Sequence, residues 1–158
     1  MVSIRWCMKQ NTGIKIIQQN ANMSNSYIKM AEESITVLAG VANSKIWTAT
    51  TAYYVFYYSL YSLMLRIGVK CEIHSCSLEF MKRFLKDFYS DKDMEMIERA
   101  FLARINLQYY ADRTVDDVII EDSKRYCKDF YIKTKHMLLR ITESQIKMIR
   151  KHLEEEIS

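Results

Sequence analysis

Apolar and small residues recur at helical spacing along most of the chain. Tyr27, Met30, Ala31, Ser34, Val37 and Leu38 share one face and predict a helix from about Ser24 to Leu38. Ser24 or Ser26 is placed to cap it, and Gly40 to close it in a left-handed residue. Asn43 or Ser44 opens a second helix that reaches Ile67 and ends at Gly68. After the short link Val69 to Ile73, the stripe Leu78, Met81, Leu85 and Phe88 predicts a third helix from about Leu78 to Tyr89, capped by Ser75 or Ser77. Ser90-Asp91 reads as a turn and a cap, and Met94, Ile97, Phe101, Ile105 and Gln108 carry a fourth helix from about Lys92 to Asp112. The stretch Thr114 to Ile120 reads as a strap over the bundle. One last helix, with an imperfect inward stripe, is predicted from Glu121 to near the end, where Glu154-Glu155-Glu156 faces solvent.

The expected architecture is all-α: an up-and-down bundle of four to five antiparallel helices. Composition agrees. Among 158 residues there is no proline and there are only three glycines, too few for the turns of an all-β fold. The length suits one domain, with residues 24–158 as the bundle. Residues 1–23 read as an amino-terminal extension, either disordered or helical, since Met23 opens a stretch that resembles a natural start.

The segment Ile46 to Leu65 carries no charge and is long enough to cross a bilayer. Its five tyrosines, from Tyr53 to Tyr61, would lie near mid-membrane, where tyrosine is disfavoured. The segment therefore reads as the central helix of a bundle, and no membrane contact is expected. The amino terminus has no apolar run of signal-peptide length, which points to a cytoplasmic protein. The four cysteines form no CxxC pair and read as buried or half-buried thiols in a reducing compartment. Cys71, His74 and Cys76 have metal-like spacing without an evident fourth ligand, so no metal or other cofactor is assigned. The net charge of +4 permits contact with nucleotides or nucleic acid without demanding it. The scarcity of glycine excludes a phosphate-binding P-loop, and no Ser-His-Asp elbow or HExxH helix is present.

The order of motifs is more telling. AEES on the first helix is followed by a glycine, by AYYVFYYSLYSLMLRIG, by a short link to His74, by an amphipathic helix, and by RINLQYYAD from Arg104 to Asp112. From about Ser24 to Arg113 this resembles the HEPN family (higher eukaryotes and prokaryotes nucleotide-binding domain), in its small single-domain prokaryotic and archaeal form. The resemblance implies a helical bundle that pairs as a homodimer. In catalytic members it also implies a cleft where Arg and His of an Arg-x4-6-His motif cleave RNA without metal. An arginine there holds phosphate through parallel hydrogen bonds, and a histidine moves the ribose hydroxyl proton.

The motif is incomplete in this chain. No arginine has a histidine at that spacing; Arg66 lies too far from His74, Arg150 too close to His152, and Tyr109 stands where the partner of Arg104 would need to be histidine. Tyrosine, with a pKa of about 10, is a poor base but can hydrogen-bond phosphate or stack on a base. The expected site is Arg104, Asn106, Tyr109, Tyr110 and His74, binding a nucleotide or RNA. The opposing reading pairs Arg104 with Glu98 or Asp112 in a structural clasp. The resemblance further implies a small nucleotidyltransferase partner, as in toxin–antitoxin pairs where a tyrosine receives AMP. The alternatives are an active RNase toxin, with His74 or a tyrosine replacing the missing histidine, and a helical scaffold without ligand.

Overall fold

The computed structural model describes residues 2–158. Its helices are α1 (Ile4–Lys9), α2 (Ala21–Leu38), α3 (Lys45–Ile67), α4 (His74–Phe84), α5 (Asp91–Tyr109), α6 (Asp117–Arg140) and α7 (Glu143–Glu155). A short antiparallel ladder pairs β1 (Lys15–Ile16) with β2 (Val69–Lys70). The fold is an all-α bundle, as the pattern predicts. No helix among the described residues is long and apolar enough to cross a membrane.

Helix α3 is the axis of the bundle. Its long uncharged run has no polar face to leave in water, so α2, α5 and α6 surround it. Ser44 caps it, accepting the Trp47 N–H, and Gly68 ends it at φ 93°. A Cβ at Gly68 would also meet the Arg150 Nη1 at 2.0 Å. That nitrogen donates to the carbonyls of Ile17, Ile67 and Gly68 at 2.7, 3.1 and 3.0 Å, so α7 places a cation at the carbonyl end of α3. Ser24 and Ser62, both buried, exchange hydroxyl-to-carbonyl hydrogen bonds of 2.8 and 2.7 Å and bring α2 close to α3.

Several boundaries differ from the sequence expectation. Helix α2 starts at Ala21 because Asn20 supplies the cap, which leaves Ser24 free to turn inward. Gly40 lies in a 3-10 turn, Ala39–Val41, and not at a left-handed residue, a conformation that only Gly68 adopts among the glycines. Helix α4 begins at His74 and stops at Phe84; Ser77 is buried and hydrogen-bonds back to the Ile73 carbonyl instead of capping. The last helix is two. Thr142 and Gln145 form a capping box that opens α7, and the break at Ile141 explains the imperfect stripe. Glu156 is not free in solvent but pairs with Arg83.

Residues 2–22 pack on the bundle. Ile4, Cys7 and Ile14 join the core, and β1 pairs with β2 in the register Lys15 to Lys70. Cys7 is disulfide-bonded to Cys76, with Cα atoms 5.7 Å apart, tying α1 to α4. The expectation of four thiols is thus corrected: only Cys71 and Cys127 are free, and both are buried. The bridge also removes Cys76 as a metal ligand, and no metal-holding cluster occurs among the described residues.

Helix α5 is fixed at its start by a second capping box, Ser90 with Asp93. The Asp93 carboxylate is 1% exposed and accepts hydrogen bonds from the Ser90 N–H, the Tyr126 hydroxyl and the Lys133 ammonium at 2.7, 2.9 and 2.5 Å. Burial alone raises its pKa, but Lys133, Ser90 and Tyr126 together outweigh burial and hold the carboxyl below its usual range. Asp93→Ala leaves Lys133 and the Tyr126 hydroxyl without this partner and removes the half of the capping box that holds the Ser90 N–H. A loss of about 3 kcal/mol in unfolding free energy is expected, read from the denaturant midpoint. In the wild type the Asp93 contribution is fully present above the usual carboxylate pKa and is lost as the pH falls through its lowered folded value.

Candidate functional site

With its start fixed by the Asp93 box, α5 turns Arg104 toward the tyrosine ladder of α3. Arg104 is 9% exposed. Its guanidinium carbon lies 5.2 Å from the ring centres of both Tyr53 and Tyr54, and 5.8 Å from that of Tyr109. Nε donates to the Gln108 side-chain oxygen at 3.2 Å and Nη2 to the Tyr109 hydroxyl at 3.4 Å. The rest of the guanidinium fork has no protein partner, and no carboxylate among the described residues pairs with it. Glu98, one candidate for a clasp, is taken by Lys82. The hydrogen-bond and ring contacts of Arg104 are therefore all with neutral groups, and among the described residues no opposite charge pairs with it.

His74, the first residue of α4, reaches the same tyrosines from the other side. Its Nδ1 lies 2.8 Å from the Tyr53 hydroxyl, and its ring stacks on Tyr57 at 3.9 Å and 9°. Tyr53 thus touches both Arg104 and His74. Burial first, and the Arg104 charge second, lower the His74 pKa from 6.5 to about 4, so the imidazole is neutral at pH 7. Burial raises the Tyr53 pKa well above its usual value, so this hydroxyl keeps its proton and is able to donate to Nδ1.

Arg104, Tyr109 and His74 therefore come together through α3. Asn106 and Tyr110 do not join them. The Asn106 side-chain oxygen accepts from Arg113 at 2.8 Å, and the Arg113 guanidinium lies 3.6 Å from the Tyr110 ring centre. These residues form a separate cluster where α5 ends. His136 and His152 are exposed. Tyr53 and Tyr54, which the sequence suggested only as core, complete the site. The i, i+4 spacing of Tyr53 and Tyr57 marks a shared face, but nothing in the sequence says that α5 and α4 meet there.

The arrangement suits an anion. A buried guanidinium with unused donors binds a phosphate by parallel hydrogen bonds, and the exposed Tyr109 hydroxyl lies beside it. Aromatic faces stabilise the cation while no anion is bound, without competing for its fork. No protein-family model matches the chain, and neither a curated protein nor a solved structure resembles it significantly.

The lowered His74 pKa sets a pH signature. The unfolded chain binds a proton near pH 6.5 that the folded chain does not take up until about pH 4. The contribution is fully present above pH 6.5 and is lost as the pH falls through that window to about 4. His74→Asn is expected to flatten that part of the stability profile. In wild-type protein, NMR is expected to find the imidazole titrating near 4, and higher in Arg104→Met.

Proposed function

We propose that this chain is a HEPN-like protein that binds a nucleotide or RNA phosphate at Arg104, acting as a binding component and not as a nuclease. The observation that carries the reading is the buried guanidinium with no carboxylate partner. A charge taken out of water is costly unless paired, and a bound phosphate supplies what the fold withholds. The motif order from Ser24 to Arg113 supports the family. The family suggests a homodimer, a cytoplasmic location and a small nucleotidyltransferase partner of toxin–antitoxin type. Leu102, Tyr109 and Tyr110 are exposed on the helix that carries Arg104, apolar surface that a second copy would cover. The disulfide is unusual for the cytoplasm, but both of its cysteines are wholly buried and so shielded from reductant.

A second reading, a metal-independent RNase toxin, is favoured by one observation: His74 shares Tyr53 with Arg104, so a histidine distant in sequence stands near the arginine. It would take the proton of a ribose hydroxyl while Arg104 held the phosphate. Its pKa of about 4 makes it a weak base at neutral pH, which places this reading second.

Two outcomes are expected. At a hundredfold excess over Kd, ATP or a short single-stranded RNA stabilises the wild type by about 2.7 kcal/mol, a rise in Tm of about 5–10 °C, and Arg104→Ala abolishes the shift. If neither ligand moves Tm, only the scaffold reading is left. Single-stranded RNA incubated with micromolar protein in chelator remains intact; cleavage abolished by both Arg104→Ala and His74→Ala would establish the nuclease instead.

A further inference from the structure

Tyr54 and Tyr58, one turn apart on α3, are only partly buried and form the strip left between α2 and α5. On the α5 side Tyr54 meets Arg104. On the α2 side the same two tyrosines wall an open groove of about 410 Å³, with Trp47, Thr50, Met30 and Glu33 around it. Its size falls within the roughly 300–1,000 Å³ of small-molecule sites. The Trp47 indole is 55% exposed, a large cost for so apolar a ring unless something stacks on it. Thr50 is buried, and its hydroxyl has no hydrogen-bond partner. Glu33 is exposed and forms no ion pair among the described residues, unlike its neighbour Glu32, which pairs with Lys135.

We infer that this groove holds the base of the nucleotide whose phosphate Arg104 grips, and that it selects bases bearing an exocyclic amino group. The inference rests on the phosphate reading of Arg104 and adds the base. The two unneutralised charges flank one aromatic strip. A nucleotide with an amino-bearing base complements both: its phosphate meets the guanidinium, its ring stacks on Trp47, Tyr54 or Tyr58, and its amino group donates to the Glu33 carboxylate. A uracil ring carries a carbonyl where cytosine carries the amino group, and it would set that oxygen against Glu33. A purely apolar partner would leave both Glu33 and Arg104 uncompensated.

The test uses Trp6→Phe protein, in which Trp47 is the one remaining tryptophan, titrated with AMP, UMP and ribose 5-phosphate. AMP is expected to quench Trp47 emission and to bind at least about tenfold more tightly than UMP or ribose 5-phosphate. In otherwise wild-type protein, followed by calorimetry, Trp47→Ala is expected to weaken AMP about tenfold or more while leaving ribose 5-phosphate unchanged, and Glu33→Gln to bring AMP and UMP together. If AMP and ribose 5-phosphate bind equally and emission does not change, the base groove is overturned while the phosphate site stands. If AMP and UMP bind equally, selection by Glu33 is overturned. If none of the three binds, the inference falls together with the phosphate reading. A dimer in sedimentation that dissociates on Trp47→Ala assigns the groove to a second copy and overturns the inference.

Discussion

The charge-free run from Ile46 to Leu65 of helix α3 constrains everything around it. A polar face would let it rest on one neighbour, but Ile46 to Leu65 offers none, so α2, α5 and α6 must cover it. The cover is aromatic as well as aliphatic, and tyrosine hydroxyls that enter it need partners. Tyr61 accepts from the Cys71 N–H, Tyr57 donates to the Cys71 carbonyl, and Tyr53 meets His74. The segment just after α3 therefore folds back along its tyrosines, and α4 begins where His74 completes the last of these contacts.

Within that frame the other cations near the core are all answered. Arg150 serves three carbonyls at the end of α3. Arg66 meets Gln19 and Glu143, and Lys133 meets Asp93. Arg104 is the one among these set against ring faces; like Arg150, it meets only neutral oxygens and pairs with no carboxylate among the described residues. Its charge loses hydration and gains ring faces and two neutral hydrogen bonds in return, but no opposite charge. The proposed phosphate reading turns on this residue for that reason.

How much of this could be read from the sequence follows from the range of the forces involved. Periodicity and end chemistry are local, so α3 with Ser44 and Gly68, and the start of α5 at Ser90, were legible nearly to the residue, while α5 ends at Tyr109, three residues short of the expected Asp112. The Thr142–Gln145 box was equally visible, but a continuing apolar pattern ran across it and hid the break. A two-residue ladder has too little pattern to detect, and so β1 and β2 were missed. The Cys7–Cys76 bridge joins residues 69 apart, a pairing that only the fold decides. In the site, Arg104 with Tyr109 was legible because both lie on one helix. Asn106 and Tyr110, expected beside them, lie instead against Arg113, a contact from the turn beyond α5 that helical spacing does not encode. His74 was included on family order alone, and its contact with Tyr53 arises from tertiary packing.

The two causes of the His74 shift also bear on what the site is built to do. Burial is the larger and Arg104 the smaller. An anion settling on Arg104 offsets only the smaller cause, and if it covers the imidazole it deepens the larger. In the proposed complex the imidazole would stay mostly neutral at pH 7, able to share a hydrogen bond but poor at cycling a proton between substrate and leaving group. The Cys7–Cys76 bridge ties α4 to α1 two residues beyond His74, whose ring stacks on Tyr57. Under the proposed phosphate reading, a mostly neutral His74 beside Arg104 would serve as a hydrogen-bond partner for the anion and would contribute little as a base.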